Sequence, residues 1–311
     1  MPTNATLIRK AGTLVTGDVT SGLLNPEQSA KFLKMTFEAT PLGALVRTEN
    51  RRAKSGEIDK IGIASRILRK KTENTDDGYR AKPNFGAVEY ATTAVRLPWE
   101  ITEETLRENI EGQGLEATIT DLMTQQIGID REDLCINGDT ATPASDDDYD
   151  FLNVNDGWVK QMLNGGHVED RTAKSGGAMS IDLFYDALRQ MPNKYNNGKL
   201  RWLMSPHRQQ EWERYILDKA ITVGGIISDK RVENPVSIPA IPVPALPDDK
   251  IILANPQNLI VVSTYDVKIR KTVEGKEAIM QDKRFYVVHF DFDPIIEELD
   301  ATVIVKGLKA L

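Results

Sequence analysis

The chain has 311 residues, with 39 Lys and Arg against 46 Asp and Glu (a formal net charge of −7), 40% hydrophobic and 27% charged. That composition suits a soluble protein with two packed cores; no apolar run nears the eighteen or so residues of a membrane helix, and Met1 to Lys10 lacks the apolar centre of a signal peptide. Mild acidity argues against a dedicated nucleic-acid binder, and the lone Cys135 excludes an internal disulfide and suits a reducing cytoplasm.

The first two dozen residues are polar, rich in Gly and Thr and without periodicity, and are expected to form a flexible arm. A helix follows: Asn25 caps it, Pro26 suits its first position and Gln28 completes a capping box, with an end near Glu38, before Thr40-Pro41.

Arg51 to Trp99 reads as one long β-ribbon. Its outgoing arm, Glu57-Ile58 to Ile67-Leu68, is rich in isoleucine, and its returning arm, Tyr79 to Leu97, in Ala, Val and Thr. Between them Asp77-Gly78 supplies a turn whose residues tolerate positive φ. Arms of about 15 residues at roughly 3.3 Å each reach about 50 Å, against a radius of gyration of about 20 Å for a compact chain of this length. Isolated two-stranded ribbons are barely stable in water, so this one is expected to project and lie on a neighbouring molecule. Between Arg51 and Lys71 there are eight basic residues against two acidic ones, Glu57 and Asp59, while Asp146, Asp147, Asp148 and Asp150 cluster far away. Complementary patches of this kind favour contacts between copies.

Thr102 is expected to cap a short acidic helix through Ile110, interrupted by Gly112 and Gly114. A long helix runs from Leu115 to about Ile136 and stops at Asn137-Gly138, with Leu115, Ile119, Leu122, Gln126, Ile129 and Ile136 near one face. Asp139 to Gly177 reads as loops around a small helix at Trp158 to Leu163. From Ser180 a helix carries Ile181, Phe184, Tyr185, Leu188 and Met191 on one face; Leu200 to Met204 is a short buried strand, and Ser205-Pro206 open a helix to about Lys219. Five prolines between Pro235 and Pro247 mark an extended edge segment. Strands follow at Ile251 to Leu253, Leu259 to Val262, Val267 to Lys271, Phe285 to Phe292 and Ala301 to Lys306, so the fold is α+β.

Motifs that carry chemistry have simpler accounts. Gly112-Gln113-Gly114-Leu115-Glu116-Ala117 fits a dinucleotide pattern, but a helix precedes it where the motif needs a strand. Asp146, Asp148 and Asp150 mimic a calcium loop, yet Phe151 stands in place of its glycine and Gly157 in place of its bidentate glutamate. His167, His207 and His289 are far apart and lack ligand spacing. Cys135 reads as a packing residue near a helix end. Glu103, Glu104 and Glu108 complement a helix dipole rather than form a catalytic pair, and Trp99 and Trp202 read as core anchors. No catalytic, cofactor or metal residue is expected.

Several segments, in order, resemble the major capsid proteins of tailed bacteriophages, the Hong Kong 97-type fold. Gly22-Leu23-Leu24-Asn25-Pro26-Glu27 with Phe32 and Thr40-Pro41-Leu42 is similar to that family's N-terminal arm and first helix. The ribbon resembles its extended loop, and Trp99-Glu100-Ile101-Thr102-Glu103-Glu104 with Leu106 and Asn109-Ile110 resembles the lead into its long spine helix, which Leu115 to Asn137-Gly138-Asp139 would form. Trp202-Leu203-Met204-Ser205 is similar to the strand-to-helix turn of its axial domain, and Pro242-Val243, Leu246-Pro247-Asp248, Ile251-Ile252-Leu253 and Asn258-Leu259-Ile260 to a late signature.

The resemblance implies a Hong Kong 97-like capsid fold: an N-terminal arm (1–26), a peripheral domain (27–50, 97–157 and 262–292), an extended β-hairpin loop (51–96) and an axial domain (158–261 and 293–311). It implies a non-enzymatic shell protein forming the hexamers and pentamers of an icosahedral phage head around double-stranded DNA. Its partners would be other copies of itself, portal and scaffolding proteins, and DNA held nonspecifically, with no membrane and no cofactor. The location would be the virion capsid, assembled in the host cytoplasm. Arg66, Arg69, Lys70, Lys71, Asp76 and Asp77 are the expected intersubunit contacts. Two dozen residues before the first helix point to a separate scaffold or none, and no covalent cross-link is expected at Lys70, Lys71 or Lys82. The rivals are an encapsulin shell with the same fold and an oligomeric α/β enzyme.

Overall fold

The computed structural model describes residues 40–62, 66–70, 73, 76, 78–104, 115–174, 177–223, 234–264 and 268–309. The expected arm, the helix from Asn25 to Glu38, the acidic helix beyond Glu104 and the Gly112–Gly114 break lie outside them. In chain order the described residues form β1 (Arg47–Asn50), β2 (Ser55–Gly62), β3 (Asn84–Ala91), β4 (Thr93–Thr102), α1 (Leu115–Asn137), α2 (Tyr149–Leu152), α3 (Trp158–Gly165), β5 (His167–Asp170), α4 (Ile181–Gln190), β6 (Arg201–Met204), α5 (Pro206–Val223), β7 (Ala240–Pro242), β8 (Ile251–Ala254), β9 (Leu259–Ser263), β10 (Lys268–Thr272), α6 (Lys276–Gln281), β11 (Lys283–Ile296) and β12 (Thr302–Lys306).

One sheet has the order β5-β12-β8-β6-β7. Both its faces are covered. Ile251, Leu253, Val303 and Val305 point into a core with Leu183, Phe184 and Ala187 of α4 and Trp212 of α5. Ile252, Ala254, Leu203 and Ile304 point into a second core with Trp158, Val159 and Met162 of α3 and Leu134 to Ile136 of α1. Strands buried on both faces need apolar side chains at every position, which is why β8 and β12 read as unbroken hydrophobic runs. The proline-rich segment supplies β7 at the sheet edge, paired in parallel with β6.

The other sheet is organised by β11, 14 residues long. From Lys283↔Thr102 to Phe292↔Thr93 it pairs antiparallel with β4. Its opposite edge over the same half pairs with β10. From Asp293 to Ile296 it pairs instead with β9, which runs parallel to β1. Trp99 and Tyr286 face each other across β4 and β11, their rings stacked at 5.2 Å and 4°. Around them α1 lays Ile119 and Ile127 on Ile101 and Val288.

Four sequence expectations change. The buried stripe of α1 runs through Ile119, Thr120, Thr124, Ile127, Arg131 and Leu134, leaving Leu122 and Ile129 exposed. Polar residues in the buried stripe and aliphatic ones outside it defeat a reading by hydrophobicity alone. The buried face of α4 is Leu183, Phe184 and Ala187, with Ile181 and Tyr185 exposed. β1 and β5 are strands that the sequence did not mark, because Arg-Thr-Glu-Asn and His-Val-Glu-Asp are polar segments paired at sheet edges. The ribbon is shorter than expected. β2 and β3 pair over eight residues each, about 26 Å at roughly 3.3 Å per residue. The rest of the expected returning arm, from Thr93, leaves the ribbon and becomes β4 against β11.

Candidate functional site: the ribbon and its root

The β2–β3 register runs from Ser55↔Ala91 to Gly62↔Asn84. Side chains alternate across a strand, so the ribbon has two unlike faces. The inner one carries Ile58, Val88 and Tyr90, which pack on Ile260, Val262 and Ile295 of the same chain. Lys60, on that face, donates to the Glu297 carbonyl at 3.1 Å and the Glu298 carboxylate at 3.3 Å. The base of the ribbon is thus buried by its own chain, contrary to the expectation that only a neighbour could bury it. The outer face carries Glu57, Asp59 and Glu89, all exposed. Beyond them lies the cross-strand pair Ile61↔Phe85, 70% and 69% exposed.

Two carboxylates of β11 clasp the ribbon where it leaves the sheet. Asp291, 1% exposed, accepts from the Thr264 amide at 2.9 Å and the Thr92 hydroxyl at 3.1 Å, and also from the Thr264 hydroxyl. Asp293 accepts from the Ala91 amide at 2.8 Å. Burial, with the nearby Asp156 charge adding, pushes the Asp293 carboxyl up to about 6 against the lowering effect of the Ala91 amide. The Thr92 amide closes the root by donating to the Lys54 carbonyl at 2.8 Å. The signal available in sequence was Phe290-Asp291-Phe292-Asp293, two carboxylates inside an apolar strand, where charge needs dedicated partners.

Of the expected contact residues, Lys71 and Asp77 lie outside the described residues. Arg66 and Lys70 are exposed. Arg69 sits over the Tyr79 ring at 3.7 Å. Asp76 pairs with Arg80 at 2.6 Å and caps Gly78, and those bonds hold its carboxyl below the usual range. Gly78 has φ 71°, the left-handed conformation a glycine supplies without strain. Of the four described, Arg69 and Asp76 are thus engaged within the tip, and Arg66 and Lys70 are exposed.

Elsewhere, polar constellations have structural tasks. Ser205 and His207 both contact the Asp248 carboxylate, His207 through Nδ1 at 3.3 Å. A nucleophilic triad needs the imidazole between the other two groups; here the carboxylate is in the middle, and the Ser205 oxygen accepts from the Arg208 amide in the first turn of α5. Cys135 is buried, and desolvation pushes its thiol up to about 12, which suppresses the thiolate. Glu103 pairs with Arg284 across the sheet, and Glu100 with Lys283. Among the described residues no group of three His, Cys, Asp or Glu side chains is arranged to hold a metal ion, and no helix is long and apolar enough to cross a membrane.

No protein-family model matches the chain. Among curated proteins it is similar to YqbE of Bacillus subtilis (strain 168), assigned as a prophage capsid protein, at 26% identity over 98% of this chain and 99% of that one. Among solved structures it superposes on a chain of the satellite phage P4 procapsid with a TM-score of 0.63 and 17% identity, over 91% of this chain and 100% of that one. A capsid chain of an empty GTA particle gives 0.61 and 9%, over 99% and 98%. The SrpI encapsulin of Synechococcus elongatus PCC 7942 gives 0.54 and 12%, over 99% and 96%. The α+β architecture is the one these shell-forming chains share.

Proposed function

We infer, from a fold shared with phage capsid chains and a full-length likeness to a prophage capsid protein, that this chain is the major capsid protein of a tailed-phage head. Many copies assemble into a closed shell, and the protein's role is structural rather than catalytic. The single observation that carries this reading is the end-to-end similarity to the Bacillus protein, 98% of one chain against 99% of the other. The encapsulin has the same fold, with a TM-score within the range of the phage capsid chains, and what favours the phage reading is the sequence link to the Bacillus prophage protein.

In this reading hexamers and pentamers close an icosahedral shell around double-stranded DNA, in the host cytoplasm, with portal and scaffolding proteins as partners. Residues 1–26 form an arm, 51–96 the extended loop, 27–50, 97–157 and 262–292 the peripheral domain, and 158–261 and 293–311 the axial domain. Arg66, Arg69, Lys70, Lys71, Asp76 and Asp77 lie at contacts between copies, where exposed ion pairs contribute little singly and buried apolar area contributes most. A net charge of −7 keeps DNA contact weak and sensitive to salt.

Electron microscopy and mass photometry of the purified protein test the reading. Closed shells, or rings of five and six, are expected, alone or with the scaffold encoded beside it. A discrete monomer or dimer under both conditions would sink it.

A further inference from the structure

Asparagine is followed by glycine at Asn137-Gly138, Asn164-Gly165 and Asn197-Gly198. In such a pair the backbone nitrogen of the second residue can add to the side-chain amide carbon of the first, and glycine leaves that nitrogen unshielded because it carries no Cβ. The fold decides whether the reaction runs. An amide N–H already committed to a carbonyl is released for attack only by local opening.

Two of the pairs are locked. The Gly138 amide donates to the Leu134 carbonyl at 3.0 Å, and the Asn137 side chain donates to Asp133 at 2.6 Å and to the Ala245 carbonyl at 2.7 Å. Asn164 and Gly165 are the last residues of α3, where the Gly165 amide belongs to the helical ladder.

Asn197-Gly198 differs on each count. Both residues are exposed, and a Cβ on Gly198 would meet nothing within 4 Å. The Gly198 amide donates to no group among the described residues. Gly198 has φ 78°, so the turn itself calls for glycine, and the same choice bares the nitrogen. The Lys199 amide donates to Asn197 Oδ1 at 3.2 Å. That is the oxygen on which negative charge gathers when a nitrogen adds to the amide carbon, so the donor stabilises the tetrahedral intermediate. Arg201 brings a positive charge to the same turn, donating to the Gly198 carbonyl at 3.3 Å and the Leu200 carbonyl at 2.7 Å. The turn is held in this shape, since the Asn197 amide donates to the Tyr195 carbonyl at 2.9 Å and Leu200 is buried.

We propose that Asn197 is a site of spontaneous modification, where the Gly198 nitrogen displaces the side-chain amide and water leaves a carboxylate in its place. The Gly198 nitrogen loses its proton and bonds to Asn197 Cγ; the Cγ–NH2 bond breaks and ammonia departs. Water then opens the succinimide at either carbonyl, giving aspartate or isoaspartate, with no change of oxidation state and no reagent besides water. Asn197 lines a cavity of about 520 Å3 together with Lys60, Lys194, Glu297, Glu298 and Asp300. Conversion therefore adds a carboxylate beside three others, at a place where the ribbon's Lys60 is already held by Glu298. The chemistry is independent of shell formation.

The full-length chain, folded and held in mildly alkaline buffer at physiological temperature, provides the test. Residue-resolved mass spectrometry follows the replacement of NH2 by OH, and enzymatic methylation reports isoaspartate. Conversion at Asn197 should outrun that at Asn137 and Asn164 by at least about tenfold, because those two wait on local opening. In the urea-unfolded chain the three should convert at similar rates. Folded-state conversion at Asn137 or Asn164 as fast as at Asn197 would overturn the proposal, and so would an Asn197 that converts only on unfolding. Asn197→Gln, whose longer side chain closes the ring far more slowly, should abolish the isoaspartate signal of the folded chain; a signal that survives would place the reaction elsewhere.

Discussion

The Ala91 amide donates to the Asp293 carboxylate across 2.8 Å at the point where the ribbon parts from the main sheet. This bond ties a strand of the ribbon to the strand that organises the body. It also places a partly buried carboxylate near Asp156.

Asp293 makes stability depend on pH. Its folded-state pKa, about 6, lies above the ordinary 3.8, so the folded chain holds this proton more tightly than the unfolded one. The sign follows: the group is neutral in its effect below about pH 4, lowers stability progressively between about 4 and 6, and exerts its full penalty above that. Asp293→Asn removes the ionisation and leaves an oxygen for the Ala91 amide. Thermal melts should show the variant about 1–2 kcal/mol more stable at pH 7.5, after allowing for residual solvent screening, with the gain vanishing near pH 4. A gain independent of pH would refute the assignment.

Asp291 should be costly to lose. Asp291→Ala strands the Thr264 amide at a part-buried position and removes one of two acceptors of the Thr92 hydroxyl, which also reaches the Lys54 carbonyl at 3.1 Å. A loss of about 2–4 kcal/mol in urea unfolding is expected, together with faster proteolysis at the ribbon root between Arg51 and Lys54 or at Thr92. Unchanged cleavage there would mean that the carboxylate does not hold the ribbon.

The sheet around β4 and β11 offers a comparison between packing and charge. Trp99→Ala, which removes the ring stacked on Tyr286, should cost about 3–5 kcal/mol. Lys283→Gln, which breaks the half-buried pair with Glu100, should cost under about 1 kcal/mol and less still in high salt. Reversal of that order in denaturant titrations would show the pair, not the aromatic stack, to be the stronger tie.

Gly138 and Gly157 let the acidic loop return to the end of α1. The Gly157 amide donates to the Gly138 carbonyl at 2.8 Å. A Cβ on Gly138 would stand 2.5 Å from the Asn155 carbonyl, and one on Gly157 2.6 Å from the Ile136 carbonyl. Each Gly→Ala change should destabilise by about 1–3 kcal/mol. The double change should cost less than the sum, because one displacement of the loop relieves both clashes; strict additivity would argue against a shared close approach.

What was legible in the sequence was whatever a core imposes. β8, β9 and β12 announced themselves as apolar runs, and α1 and α5 had clear stops and starts at Asn137-Gly138 and Ser205-Pro206. The polar edge strands β1 and β5 carried no such pattern, since their place is fixed by pairing and not by burial. The outward turn of Leu122 and Ile129 was hidden for the converse reason: Thr120, Thr124 and Arg131 occupy the buried face that hydrophobicity would have given to aliphatic residues. At the ribbon, the Ile-rich and the Ala-, Val- and Thr-rich arms around Asp77-Gly78 suggested strands but did not reveal that pairing changes partner at Thr92, from β2 to β11. That exchange depends on Asp291 and Asp293, some two hundred positions later in the chain.

β11 gives the molecule a mechanical property. A single backbone passes from the α6 tip, through ten rungs with β4, to the carboxylates at the ribbon root and on to β9. Its hydrogen bonds to β4 lie across the strand and resist sliding together, so a pull on the tip is borne in shear by the whole ladder instead of being released one bond at a time. Tension applied at the tip is therefore delivered along β11 to the carboxylates at the root of the ribbon. The α6 tip and the base of the ribbon are thus the two ends of one continuous tie.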